Sequence, residues 1–161
     1  MAKELSLALV QADAVGSTEE FGRQVQTLVQ QYPGTSMFVF PEQHLLGAWD
    51  PWDPESTVRH AEPLDGPSCR EVARIAAKLG VWLVPGSILE RTESGLIYNT
   101  MVVFSPTGER AASYRKVFPW RPVEKCEPGD DFVTLPIGDV GTVGLTVCYD
   151  AWFPEVSRQL S

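Results

Sequence analysis

Residues 37–42 read Met-Phe-Val-Phe-Pro-Glu, and this stretch decides the class of fold. Met37–Phe40 is short and fully apolar, which is typical of a strand buried on both faces of a parallel sheet. Pro41 cannot continue a central strand, so Glu42 is expected just past the strand's carboxyl end. The stretch therefore predicts an α/β protein with a carboxylate at the edge of its sheet.

A strand and a helix precede this stretch. Residues Leu5–Ala12 predict the first strand, and Thr18–Gln31 predict a helix with apolar residues on one face. Ser17 and Glu20 have the spacing of a capping box at the start of that helix. Pro33 and Gly34 end it, because neither residue favours a continuing helix.

Further elements follow the stretch. Ser68–Leu79 predicts a second helix with Ser68 and Glu71 as its capping box and Gly80 as its C-cap. The residues from Trp49 to Glu55 predict an irregular loop. Strands are predicted at Val81–Val84, Tyr98–Phe104, Ala111–Tyr114 and Val143–Val147, with a turn at Ser105–Gly108. The order of these elements predicts a layered α/β domain with a mixed sheet.

Composition limits the partners of the chain. Its 161 residues are 43% hydrophobic and 21% charged, as in ordinary globular domains. The net charge of −8, without a block of Lys or Arg, argues against nucleic acid and anionic membranes as partners. No apolar run reaches the roughly 20 residues that span a bilayer, and no signal peptide is recognisable. Three cysteines without metal-site spacing favour a reducing, cytoplasmic location and no metal or other cofactor.

Cys148 stands in the segment Gly144-Leu-Thr-Val-Cys-Tyr-Asp-Ala-Trp-Phe-Pro-Glu155, between an apolar strand and the start of a helix. At such a junction a thiol is held on a sharp turn beside free backbone N–H groups, which suits a nucleophile. The alternative is a buried structural cysteine, since free cysteine is among the most buried residues.

Two other residues complete a possible reaction centre. Glu42 could take the thiol proton, and Lys116, in Tyr-Arg-Lys-Val-Phe-Pro-Trp120, could stabilise a negative oxygen. Taken singly, a glutamate such as Glu42 is usually a solvated loop residue, and a lysine such as Lys116 is more commonly a surface lysine whose stem lies on apolar residues.

Phe-Pro-Glu, Tyr-Arg-Lys and Cys-Tyr-Asp-x-x-Phe-Pro-Glu, in this order, resemble the nitrilase superfamily of carbon–nitrogen hydrolases. The resemblance implies that Glu42 is the general base, that Lys116 stabilises the oxyanion and that Cys148 forms a thioester. It also implies a second glutamate at Glu124, eight residues after Lys116, and an oxyanion hole completed by the backbone N–H of Tyr149. The fold it implies is the four-layer αββα sandwich, in at least a homodimer.

Within this superfamily, Tyr-Arg-Lys-x-x-Pro-Trp-x-Pro-x-Glu is most similar to the aliphatic amidase and formamidase branch. The resemblance places Trp120 in the acyl pocket, although a packing tryptophan fits as well. Trp49, on the loop after Glu42, is a second pocket candidate. Gln43 and Cys126 stand where that branch tends to have aromatic residues, which implies a different acyl pocket.

The helix that begins near Phe153 has no C-cap signal before Ser161, and the family's fold needs further strands and helices. We therefore expect residues 1–161 to be one carbon–nitrogen hydrolase domain that is incomplete at its C-terminal end.

The expected reaction is hydrolysis of a small amide to a carboxylic acid and ammonia through a thioester. One alternative keeps the Glu-Lys-Cys residues but acts on a nitrile or an N-carbamoyl compound. Another is an inactive binding or structural module.

Overall fold

The computed structural model describes residues 4–161 and confirms the α/β class. The strands are β1 (Leu7–Leu9), β2 (Met37–Val39), β3 (Trp82–Val84), β4 (Ser87–Arg91), β5 (Ile97–Phe104), β6 (Arg110–Arg115), β7 (Thr134–Ile137) and β8 (Gly141–Gly144). The helices are α1 (Thr18–Gln31), α2 (Pro54–His60), α3 (Pro67–Leu79) and α4 (Pro154–Leu160), and a 3₁₀ helix covers Cys148–Trp152. No helix of residues 4–161 is long and apolar enough to cross a bilayer.

Six strands form one mixed sheet in the order β1-β2-β3-β5-β4, with β6 paired to β5. The pairs β1–β2 and β2–β3 are parallel, whereas β5 is antiparallel to β3, β4 and β6. Leu83 lies opposite Phe104 and Ser87 opposite Met101, so β3 and β4 follow one edge of β5 in succession. They behave as a single strand that is interrupted at residues 85 and 86.

The two faces of the sheet are covered differently. Phe38, Leu83 and Val102 pack in one core with apolar residues of α1 and α3. Their sequence neighbours Met37, Val84 and Val103 pack in a second core with the β7–β8 hairpin. Successive strand residues point to opposite faces, so both faces of the sheet are apolar, as the run at 37–40 predicted.

Helix α1 has the bounds that the sequence predicted, and the Glu20 N–H donates to Ser17 Oγ at 3.2 Å. The capping box predicted for the second helix is wrong. Helix α3 begins at Pro67 after Gly66, and the Ser68 N–H donates to the Glu62 carboxylate instead. A carboxylate from outside the helix therefore replaces the expected local cap.

Several strand boundaries also differ. β1 is shorter than predicted, and the strand predicted at Val143–Val147 is instead β8, which ends at Gly144. Strands β4 and β7 were not predicted, and α2 begins inside the segment expected to be irregular. Pro54 occupies the first turn of α2, where a proline is tolerated, and Asp53 caps it.

Gly86, in the break between β3 and β4, allows the backbone there to lie directly against Pro41, the residue before Glu42. Its φ is +91°, and a Cβ at this position would lie 1.8 Å from the Pro41 carbonyl oxygen. Beside it, Ser87 Oγ accepts a hydrogen bond from the Gln43 N–H at 3.1 Å. The backbone on both sides of Glu42 is thus fixed by residues 86 and 87.

Replacement of Gly86 by Ala is expected to lower the free energy of unfolding by on the order of 4 kcal/mol or more, because the new methyl group would collide with backbone. Gly95→Ala is the matched control: Gly95 also has a positive φ, +86°, but nothing lies within 4 Å of its Cβ position. In that variant the free energy of unfolding should fall by only about 1–2 kcal/mol, which is the cost of the backbone strain alone. If urea denaturation gives equal losses of unfolding free energy for the two variants, the close approach of the Pro41 carbonyl to residue 86 does not contribute to stability.

Candidate active site

Three chain segments meet around the ammonium group of Lys116. Lys116 Nζ donates to Glu42 Oε1 at 2.8 Å and to Glu124 Oε1 at 2.7 Å. Glu42 follows β2, Lys116 follows β6, and Glu124 lies in the loop beyond it. Lys116 therefore holds a glutamate that lies 74 positions earlier in the sequence.

The Lys116 side chain has no solvent exposure. Burial alone lowers the pKa of a lysine, but hydrogen bonds to Glu124 and Glu42 outweigh it, and the pKa of Lys116 lies above its ordinary value. The side chain is therefore a permanent cation at neutral pH. It can stabilise a negative oxygen but is poorly suited to give up its own proton.

Both carboxylate oxygens of Glu124 have partners. Oε1 accepts from Lys116, and Oε2 accepts from the Trp120 N–H at 3.0 Å. The Arg121 guanidinium donates to the Glu124 and Cys126 carbonyls, which ties the loop together. In this arrangement Glu124 holds the lysine rather than offering a free oxygen to a proton.

Cys148 begins the 3₁₀ helix with a φ of +46°, in the left-handed region that non-glycine residues seldom adopt. Its side chain is exposed, whereas Cys69 and Cys126 are buried. The structure thus places Cys148 on the sharp turn that the sequence predicted. The strained backbone keeps the thiol at the surface of the site.

Desolvation, the negative charge of Glu42 and a hydrogen bond to Glu42 all raise the pKa of Cys148, and Lys116 opposes them only in part. The resting side chain is therefore a thiol under the influence of a carboxylate. To act as a nucleophile, a thiol in this state would need a base at the moment of attack, and Glu42 is the carboxylate that acts on it most strongly.

A buried carboxylate that the sequence did not single out holds the cysteine turn. Asp150 accepts hydrogen bonds from Tyr114 Oη at 2.8 Å, from the Phe118 N–H at 2.9 Å and from the Val147 N–H at 2.9 Å. Asp150 thereby connects the turn at Cys148 to the segment that follows Lys116. The only signal for this residue in the sequence was its place in the Cys-Tyr-Asp motif. Its partner Tyr114 lies 36 residues away, so the contact itself leaves no local pattern.

Asn99, on β5, was also missed. Its Nδ2 donates to Glu42 Oε1 at 2.7 Å, and its carbonyl accepts from the Lys116 N–H at 2.9 Å. An asparagine within a strand rich in apolar residues was the signal that could have revealed it, because a buried amide needs partners.

The other candidates from the sequence lie around this centre. Tyr149 follows Cys148 in the first turn of the 3₁₀ helix, where N–H groups lack partners within the helix. The Trp120 side chain is 51% exposed. Trp49 packs beside Leu89 and Cys126, and its indole N–H donates to Thr57 Oγ1 at 3.2 Å. The assignment of Tyr149 to an oxyanion hole and of Trp120 and Trp49 to an acyl pocket stays a prediction.

Aromatic side chains flank the cysteine. The Phe118 and Phe153 rings are stacked with centroids 4.0 Å apart, and Tyr149 contacts Phe153 edge to face at 5.4 Å. In residues 4–161, no group of three or more His, Cys, Asp or Glu side chains is arranged to hold a metal ion. The chemistry that this site can support from its own residues is attack by a thiol, assisted by a carboxylate and a fixed ammonium.

A layered α/β fold that brings a cysteine, two glutamates and a buried lysine together is the arrangement that the sequence resemblance implied for carbon–nitrogen hydrolases. The family model of the carbon–nitrogen hydrolases matches residues 6–161. The chain belongs to the carbon–nitrogen hydrolase family, which confirms the resemblance stated from the sequence.

Relatives with curated descriptions include formamidases. The chain is 30% identical to a formamidase of Allorhizobium ampelinum over 163 residues, which cover 96% of this chain and 47% of that protein. It is 34% identical to a formamidase of Pseudomonas syringae pv. tomato over 128 residues, 79% of this chain and 36% of that protein. The chain thus spans less than half the length of these relatives.

Solved structures show the same fold. A carbon–nitrogen hydrolase from Helicobacter pylori G27 superimposes with a TM-score of 0.84 at 28% identity, over 97% of this chain and 55% of that chain. An amidase from Neterenkonia sp. AN1 gives a TM-score of 0.77 at 26% identity, over 96% of this chain and 61% of that one. These similarities confirm the predicted nitrilase-type fold class.

Asp150→Asn is expected to lower the free energy of unfolding by about 2–3 kcal/mol, because an amide NH₂ cannot accept from the N–H or hydroxyl donors that face it. Asp131→Asn, at an exposed position, should change stability by less than about 0.5 kcal/mol. The comparison requires thermal or urea denaturation of both variants. If Asp150→Asn is as stable as Asp131→Asn, the buried carboxylate does not hold the cysteine turn.

Glu42→Gln removes the negative charge that raises the pKa of Cys148, so the pKa of Cys148 should fall. Alkylation of Cys148 by iodoacetamide, followed by mass spectrometry from pH 6 to 10, should therefore be faster in the variant at neutral pH. Cys69 and Cys126 serve as internal controls, because burial raises the pKa of each to about 12. An unchanged rate would mean that Glu42 does not act on the thiol, and a slower rate would mean that Glu42 acts on it mainly as a base rather than by raising its pKa.

Proposed function

We propose that this protein hydrolyses small amides to carboxylic acids and ammonia, with Cys148 as the nucleophile. The observation that carries the proposal is the bridging of Glu42 and Glu124 by Lys116, with the charge of Glu42 also raising the pKa of Cys148. This arrangement supplies a nucleophile, a base and a fixed positive charge. The formamidases among the relatives support an amide as substrate.

In the proposed reaction, Glu42 takes the Cys148 proton while the sulfur attacks the amide carbon. The carbonyl oxygen becomes an oxyanion that the Lys116 ammonium and the Tyr149 N–H stabilise. The C–N bond then breaks, Glu42 returns the proton to the nitrogen, and ammonia leaves a thioester on Cys148. Glu42 next takes a proton from water, whose oxygen attacks the thioester carbon. The C–S bond breaks, Glu42 returns the proton to the Cys148 sulfur, and the carboxylic acid leaves.

The role that we propose for Glu124 follows from its contacts. Since both of its oxygens accept hydrogen bonds, from Lys116 and from the Trp120 backbone, it keeps the lysine charged and in position. Glu42 shares only Oε1 with Lys116 and remains the group that moves protons. The two glutamates therefore have different tasks although both contact one lysine.

Cys148→Ala is expected to abolish the reaction while leaving the fold intact, because the replaced side chain is exposed. The test is the intact mass of the protein during incubation with formamide, acetamide and propionamide, with ammonia release measured in parallel. An acyl adduct on Cys148 that is lost in Cys148→Ala would support the proposal and identify the acyl group. The matched control, Cys69→Ala, should keep the adduct.

Ammonia release that is undiminished in Cys148→Ala would refute the proposal. Adducts formed only with nitriles or N-carbamoyl compounds would move the substrate class to those alternatives. If no substrate gives either an adduct or ammonia, the remaining reading is a binding or structural module that keeps the family's strands.

The cytoplasmic location, the homo-oligomer and the incomplete single domain stay predictions. Sedimentation of the purified protein at several concentrations measures the oligomer directly.

A further inference from the structure

Asn99 lies at the junction of the base and the lysine. Its side chain holds Glu42, and its backbone carbonyl holds the Lys116 N–H, at 2.7 and 2.9 Å. Asn99 is only 1% exposed and belongs to the central strand β5, which is paired on both edges. One rigidly placed residue therefore touches both groups on which the proposed proton transfers depend.

We infer that Asn99 is a positioning residue that directs the general base towards the thiol. Glu42 Oε1 accepts hydrogen bonds from both Asn99 and Lys116, so this oxygen is already occupied by two donors. Oε2 is left to take the Cys148 proton. Asn99 thus decides which oxygen of Glu42 faces the nucleophile, and this inference rests on the function proposed for Glu42.

The orientation of the amide supports this role. An ionised carboxylate accepts hydrogen bonds and cannot donate them, so the NH₂ of Asn99 must face Glu42. Asn99 Oδ1 is then left buried without a hydrogen-bond partner among residues 4–161. A buried acceptor without a partner is unfavourable for folding, so the contact with Glu42 is the one reason that the structure offers for an amide at this position.

The next residue of the strand provides a matched comparison. Thr100 is also fully buried and also donates to a buried carboxylate, from Oγ1 to Glu90 Oε2 at 2.7 Å. Glu90 pairs with Arg115 on the opposite face from Lys116 and takes no part in the proposed reaction. Substitutions at Asn99 and Thr100 therefore allow a contact proposed to serve the reaction to be compared with one that serves only the fold.

The test compares Asn99→Leu with Thr100→Val. Because leucine has nearly the shape of asparagine and removes the unpartnered oxygen, Asn99→Leu should keep or raise the melting temperature. It should lower kcat/KM for the best amide of the panel on the order of 10- to 100-fold, the effect of losing one hydrogen bond to a charged group, mainly through kcat. Thr100→Val should lower the melting temperature and leave kcat within about threefold.

A second measurement does not depend on turnover. Without the Asn99 donor, Glu42 should accept a stronger hydrogen bond from the Cys148 thiol, which keeps the proton on sulfur, so the pH midpoint of iodoacetamide alkylation should rise in Asn99→Leu. The rise should vanish when Glu42→Gln is also present, since the effect acts through Glu42. If the leucine variant does not fold, Asn99→Ser is measured in the same way.

The outcomes are distinct. The role of Asn99 would be overturned if Asn99→Leu does not change the pH midpoint of alkylation, or if it changes that midpoint equally when Glu42→Gln is also present. It would also be overturned by a melting temperature that falls as far as that of Thr100→Val while kcat stays unchanged. Failure of the parent protein to form any acyl adduct would instead count against the proposed function, while the alkylation profiles would still decide whether Asn99 controls Glu42.

Discussion

The buried ammonium of Lys116 is the constraint on which the site depends. A lysine without solvent contact is tolerated only where hydrogen bonds and opposite charges replace water, and Glu42 and Glu124 do so here. Each glutamate comes from a different part of the chain, so the fold cannot satisfy the lysine unless the end of β2 and the loop after β6 are both in place. The same contacts that stabilise the cation therefore assemble the candidate site.

The charges around Lys116 also set the state of the nucleophile. Two carboxylates and one ammonium leave an excess negative charge, and this excess, together with desolvation, keeps Cys148 protonated at rest. A cysteine beside a histidine is often a thiolate before substrate arrives. In the proposed reaction the thiol is uncharged until Glu42 takes its proton, which suits a base that would act twice, first on the thiol and then on water.

The sequence was sufficient for features that depend on neighbouring residues. The bounds of α1, the turn at Ser105–Gly108 and the position of Cys148 after an apolar segment were all correct. Glu42, Lys116 and Glu124 were singled out by motif, and the structure brings them together. The roles of Asp150 and Asn99 were not foreseen, because their partners lie 36 and 57 residues away and contacts of that separation leave no local pattern.

Strands β5 and β6 explain why one small region carries so much of the site. Consecutive strand residues face opposite sides of a sheet, so Asn99 and Thr100 serve two different carboxylates. Arg115 and Lys116 divide in the same way: Arg115 pairs with Glu90 through two hydrogen bonds of 2.6 and 2.9 Å, and Lys116 pairs with Glu42. The Glu90–Arg115 pair fixes the end of β6 from one face. Because rotation of the backbone at Arg115 would break that pair, the neighbouring Lys116 is held towards Glu42 on the other face before any substrate binds.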